Sequence, residues 1–164
     1  MSARPTSWRL PHPWLRLALG VIFIAYGWLK IKDPYTYLKS VHEYGMLDGM
    51  NLLGVQVENL AAAGVPMLEI FGGLCLALGL WRRGAAAWLG LFLAFFTVAV
   101  AWKATDPEIA ASQPNYLLRE FDCGCGTGVV VVWEKLLMNL VLLALLIHLG
   151  LRRPAADRAS AHVA

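Results

Sequence analysis

The sequence predicts an all-α membrane protein, a bundle of four transmembrane helices with both termini cytoplasmic. Three observations carry that prediction. Of the 164 residues, 59% are hydrophobic and only 15% charged, against about 25% charged in an ordinary soluble domain, and the mean hydropathy is +0.57. Four apolar stretches approach or exceed the roughly 20 residues a spanning helix needs. The cations, finally, are unevenly distributed between the connections.

The first stretch covers about 14–31, with Arg16 able to snorkel and Trp14 and Trp28 placed as interfacial anchors. A signal peptide is disfavoured there, because Lys30, Lys32 and Asp33 follow Trp28 instead of a small-residue cleavage site. The second covers about 60–81, the third 84–102 and the fourth 133–151. Glu134 and Lys135 interrupt the start of the fourth, so its spanning part is expected near Leu136, with Val129 to Val132 as a lead-in turn. The domain plan is therefore an N-terminal segment 1–13, a membrane domain 14–151 and a tail 152–164.

With four spans, Arg4, Arg9, Arg16, Arg82, Arg83, Arg152, Arg153 and Arg158 fall on one side in short segments. The opposite side dilutes Lys30, Lys32, Lys39, Lys103, Arg119 and Lys135 with acids over two longer loops. Short cationic connections stay in the cytoplasm, so the longer loops face outward. The net charge of +3 is scattered, and no basic stripe interleaved with aromatics supports nucleic-acid binding.

In the second outer loop stands FDCGCGTG, residues 121–128. Three readings compete for Cys123 and Cys125: a redox pair, half of a soft-metal site, and a glycine-rich turn with inert thiols. A disulfide between residues two apart requires a sharp bend, which Gly124 permits. So small a ring stabilises the fold very little, which suits labile exchange better than a structural staple. Two thiolates also supply half of a tetrahedral set for zinc, or a soft pair for Cu(I); no nearby histidine completes it, so no metal ligands are assigned. Cys75, inside the second span, reads as a small buried hydrophobe.

Glu69 falls near the middle of the second span, where a carboxylate costs several kcal/mol unless it is paired, protonated or beside a wet interior. Pro66, three residues earlier, removes a backbone donor and can open a polar pocket. Tyr26 and Asn139 are candidate partners, and the alternative to a functional Glu69 is a hydrogen-bonded pin between helices.

The strings LALGVIFIAYGWLKIKDPYTYLKSVHEYGML, PMLEIFGGLCLALGLWRRGAA and FDCGCGTG together resemble the DoxX/MauE family of small bacterial four-helix membrane proteins, over roughly 15–150. The matching positions are Gly27, Lys30, Asp33-Pro34, Tyr44, Pro66, Glu69, Gly72, Gly73, Arg83 and Cys123-Gly124-Cys125. The sequence departs from the MauE-like pattern after the second cysteine, where Gly126 replaces an expected aromatic.

The resemblance implies a redox-associated, multi-pass protein of the bacterial inner membrane. MauE-like members are linked to disulfide formation in exported partners, and DoxX-like members to quinone-coupled oxidation of sulfur compounds. The expected chemistry is thiol-disulfide exchange, and the enzyme class suggested is a membrane thiol-disulfide or quinone-linked oxidoreductase. Cys123, Cys125 and Glu69 are its catalytic candidates. Trp133, Phe121 and Trp102 are candidates for holding a quinone. Lys30, Asp33, His42 and Tyr44 form a candidate outer patch for docking a periplasmic thiol or sulfur-handling partner. The alternative is a non-catalytic assembly factor or a copper- or zinc-binding thiolate protein, and oligomerisation is compatible with either.

Overall fold

The structure, a computed structural model, describes residues 12–124 and 128–151; Cys125, the first eleven residues and the tail 152–164 lie outside the described residues. Four long helices dominate: α1 (His12–Lys32), α3 (Val57–Leu78), α4 (Arg82–Lys103) and α6 (Val132–Leu151). All four are long and apolar enough to cross a membrane. At 1.5 Å per residue, 22 residues reach about 33 Å, slightly more than the hydrocarbon thickness.

Between α1 and α3 lies a short helix, α2 (Pro34–Glu43), followed by a two-stranded hairpin, β1 (Asn51–Leu52) and β2 (Val55–Gln56). The Asp33 carboxylate starts α2 by accepting the Thr36 N–H at 3.0 Å, and Pro34 supplies the pre-set φ of the first helical position. Between α4 and α6 the chain forms α5 (Pro107–Ser112), a 3-10 turn (Tyr116–Leu118) and a second hairpin, β3 (Glu120–Asp122) with β4 (Val129–Val131).

That second hairpin corrects the expected lead-in turn. Val129 to Val131 pair antiparallel with Asp122 to Glu120, as β-branched residues favour, and α6 begins at once at Val132. Lys135 therefore lies inside the helix, 4% exposed, and does not mark its outer margin.

α1 packs along α3, α4 along α6, and α3 joins the two pairs through α4. Leu19, Phe23, Leu76, Leu89, Leu146 and Leu149 form the apolar core, while Phe71, Leu78 and Leu91 point outward with the exposure expected of lipid-facing side chains. Backbones approach closely where side chains are missing. A Cβ on Gly20 would sit 2.6 Å from the Gly73 carbonyl oxygen, one on Gly73 would sit 2.8 Å from the Gly20 oxygen, and one on Gly27 would sit 2.7 Å from the Pro66 oxygen. The opposing atoms are backbone, so neither helix can yield locally.

Gly73→Ala should therefore separate α1 from α3 and destabilise the bundle by about 1–3 kcal/mol, as overpacking does. Gly64→Ala is the control, since a Cβ there meets nothing within 4 Å and should stabilise α3 by about 0.5–1 kcal/mol. Unfolding of both variants in the same detergent checks the contrast.

Candidate functional site

The site is built in three tiers, beginning with a buried ion pair. Lys30, in the last turn of α1, donates from Nζ to both carboxylate oxygens of Glu69 on α3, at 2.6 and 2.8 Å. The two side chains are 4% and 5% exposed. The ammonium also faces the rings of Phe96 on α4, 4.6 Å from its centroid, and Tyr37 on α2, at 5.3 Å. Four helices thus enclose one charge pair. Lys135 adds a second cation from α6, 5.3 Å from the Tyr26 ring centroid and within electrostatic reach of Glu69.

This arrangement reassigns Lys30. It was expected in an outer docking patch, but it sits inside the bundle because the Glu69 carboxylate requires a counter-charge in a low-dielectric interior. Tyr26 and Asn139 were the expected partners of Glu69. Asn139 instead donates to Thr97 Oγ1 at 3.2 Å, and the Tyr26 hydroxyl points to the Met138 sulfur at 3.8 Å.

The second tier is the cysteine loop at the tip of the β3–β4 hairpin. Asp122 Oδ1 accepts the Gly124 N–H at 2.9 Å, and Gly124 adopts φ +65°. A Cβ on Gly124 would come within 2.6 Å of Ser40 Cβ, so the loop rests directly on α2. Tyr44, just past the end of α2, donates its hydroxyl to the Cys123 carbonyl at 3.0 Å. Cys123 is 3% exposed. Tyr44, expected to dock a partner, thus holds the cysteine loop against the helix that Asp33 initiates.

A cavity of about 330 Å³ forms the third tier and connects the other two. Lys30, Asp33 and Tyr37 form one part of its wall, and Asp122, Gly124 and Gly128 another. The Asp33 carboxyl is held below its ordinary range by the hydrogen bonds from Thr36, so it faces the cavity as an anion at neutral pH.

His42 belongs to a neighbouring cluster. Its Nδ1 lies 3.0 Å from Glu58 Oε2, at the start of α3, and 3.8 Å from Asp48 Oδ1. These three side chains bring potential metal-ligating atoms within 4.8 Å of one another. Their mutual pairing accounts for the cluster as a tie between the end of α2 and the start of α3. The Glu58 hydrogen bond and charge, with Asp48 adding to them, raise the imidazole pKa above its usual value.

The three aromatics expected around a quinone lie on three different elements. Trp102 lies in the last turn of α4 at 62% exposure, Trp133 in the first turn of α6 at 44%, and half-buried Phe121 pairs with Val130 in the hairpin. None of them lines the cavity beneath the loop. Their exposure suits contact with lipid at the membrane boundary.

Sequence reasoning missed the supports of the loop. Arg119 is buried, donating to the carbonyls of Gln113 at 2.8 Å and of Ala104, with its guanidinium over the Tyr116 ring. Lys103 donates to the Glu43 carbonyl at 2.7 Å and to Asp106 at 3.0 Å, tying the end of α4 to α2. In the sequence both residues count only as charges of the longer connections. One signal for the ion pair was available: a mid-span carboxylate needs a cation, and Lys30 and Lys135 were within about a turn or two of the span ends.

Lys30→Met should strand the Glu69 carboxylate and destabilise the bundle by about 3–5 kcal/mol, whereas Lys30→Met combined with Glu69→Leu should recover most of that loss. Unfolding midpoints of the two single variants and the double variant test this coupling. For His42 the folded pKa is raised, so its contribution to stability is complete below the unfolded value of about 6.5 and disappears as pH rises through the folded value. Its imidazole titration, followed by NMR, should have a midpoint above that of a free histidine, and Glu58→Gln should lower it.

Searches of curated proteins and of solved structures gave no match. Residues 9–152 match the protein-family model described as "Methylamine utilisation protein MauE". That span takes in all four helices, the Lys30–Glu69 pair and the cysteine loop, and the chain belongs to the MauE family.

Proposed function

We propose that this protein is a membrane accessory of a methylamine-utilisation system that exchanges disulfides with an exported partner at Cys123 and Cys125. The observation that carries the reading is the placement of the Cys123-Gly124 segment on α2, across a cavity from the Lys30–Glu69 pair. The family description supplies the methylamine context. The proposed orientation puts the cysteine loop on the periplasmic face of the inner membrane, where disulfides persist.

In the proposed exchange a partner thiolate attacks the Cys123–Cys125 disulfide and forms a mixed disulfide. Burial of Cys123 favours attack on Cys125, with Cys123 as the leaving thiolate. A second partner thiol then displaces Cys125, so the partner gains a disulfide and the loop becomes a dithiol. Reoxidation removes two electrons and two protons from that dithiol, and a membrane quinone is the proposed co-substrate that becomes quinol. Glu69, paired with Lys30 beside the cavity, is the proposed relay for those protons.

Cys123→Ser should accumulate a mixed disulfide with the partner through Cys125, while Cys125→Ser should abolish both the mixed disulfide and partner oxidation. Trapping in intact membranes followed by non-reducing electrophoresis reads this directly. Glu69→Gln should leave the mixed disulfide in place and slow reoxidation of the loop dithiol. If both serine variants support normal partner maturation, the exchange reading fails and a non-catalytic assembly role takes its place.

A further inference from the structure

The end of the bundle opposite the cysteine loop carries a second concave site. The chain turns there from α3 to α4 through Gly79, at φ +77°, and Trp81, at φ +42°. Arg16, from the first turns of α1, lies against Gly79 so closely that any side chain at that position would collide with its guanidinium. Arg82 and Arg83 open α4. Together these groups line a cavity of about 520 Å³ whose described walls hold three arginines and no acid.

Two features make this cavity more than a cationic surface. The Arg16 Nε is shut off from solvent and makes no hydrogen bond with a described residue. The N-terminus of α4 also lacks a side-chain cap, so its leading N–H groups and the positive end of a 22-residue helix add to the same field. The combination suits a phosphate oxyanion.

The ligand class follows from what adjoins the cavity. Arg83 donates from Nε to the Gly150 carbonyl at 3.2 Å and also forms part of a second recess of about 520 Å³ between α4 and α6. That recess is apolar, and small residues leave it open. A Cβ on Gly90 would meet only Leu143, at 3.6 Å, and one on Gly150 only Ala86, at 3.9 Å. An arginine-lined cavity and an apolar groove thus meet at Arg83, at the end of a membrane span. Trp81, 78% exposed, sits there as aromatic anchors do at headgroup level.

We propose that this is a binding site for an anionic phospholipid. Its phosphate lies among Arg16, Arg82 and the start of α4, and one acyl chain lies along the Gly90–Gly150 groove. Charge complementarity selects an anionic headgroup over a zwitterionic one, and the groove distinguishes a lipid from free phosphate.

Native mass spectrometry of the full chain, released from detergent with phosphatidylglycerol or phosphatidylcholine of identical chains, tests the site. Phosphatidylglycerol should be retained about tenfold better, the scale of a charge-assisted contact. The Arg16→Gln, Arg82→Gln double variant should lose that preference, and Gly90→Leu should weaken phosphatidylglycerol retention with the arginines intact. Equal retention of the two lipids by the unaltered chain would overturn the proposal, even if the double variant failed to fold. Displacement of phosphatidylglycerol by millimolar inorganic phosphate, with Gly90→Leu without effect, would assign the cavity to a free anion and reject the lipid.

Discussion

The Lys30–Glu69 ion pair is the constraint around which the remainder of the structure is arranged. A carboxylate halfway along a spanning helix is costly unless it is paired, protonated or beside a wet interior, and here Lys30 supplies the pairing while Glu69 supplies the anion that a buried ammonium needs. Each therefore fixes the height and rotation of the helix that carries it. With α1 and α3 locked by the pair, Phe96 on α4 and Tyr37 on α2 cover the ammonium. One interaction thereby relates two spans to a third and to the surface helix on which the cysteine loop rests.

Glycine makes that interaction geometrically accessible. Gly20 and Gly73 bring the axes of α1 and α3 close, and Gly27 lies against the Pro66 carbonyl one turn before Glu69. A short lysine-to-glutamate distance and a close backbone approach are the same requirement expressed in two chemistries. The cysteine loop repeats the device on a smaller scale. Gly124 takes a left-handed conformation, leaves space for Ser40 and allows Asp122 to cap the turn. Tyr44 can reach the Cys123 carbonyl only because that approach is close.

The four spans were legible in the sequence because length and hydropathy alone determine which segments can enter a bilayer. Glu69 was legible as an anomaly. Its partner was not, since Lys30 borders a loop in the sequence and a charge at a span end is normally read as snorkelling outward. The same ambiguity concealed Lys135: a charge pair beside a valine run resembles an interface, and only the β3–β4 pairing shows that the helix begins at Val132 and takes Lys135 inside it. Asp33, His42 and Tyr44 were expected, with Lys30, to form an outer patch for docking a partner. Their local work as a helix cap, an interhelical tie and a loop anchor depends on which backbone atoms they reach, and no spacing rule encodes that.

The buried pair also constrains how the chain can enter the membrane. Translocon-insertion scales put a charged residue at the helix centre at about 2.5–3.5 kcal/mol, so α3 alone would enter with Glu69 either protonated or uncompensated. α1 meets a smaller penalty, because Lys30 lies near the end of its span and can remain at the interface until a partner arrives. In the folded bundle the Lys30 ammonium lies beside Glu69, so each charge offsets the burial of the other. α2 is tethered to α1 by Asp33-Pro34 and must follow the lysine, which places Tyr37 over the ammonium and Ser40 where the cysteine loop later lands. The platform for the cysteine loop is thus supplied by the first half of the chain, and the cysteines by the second.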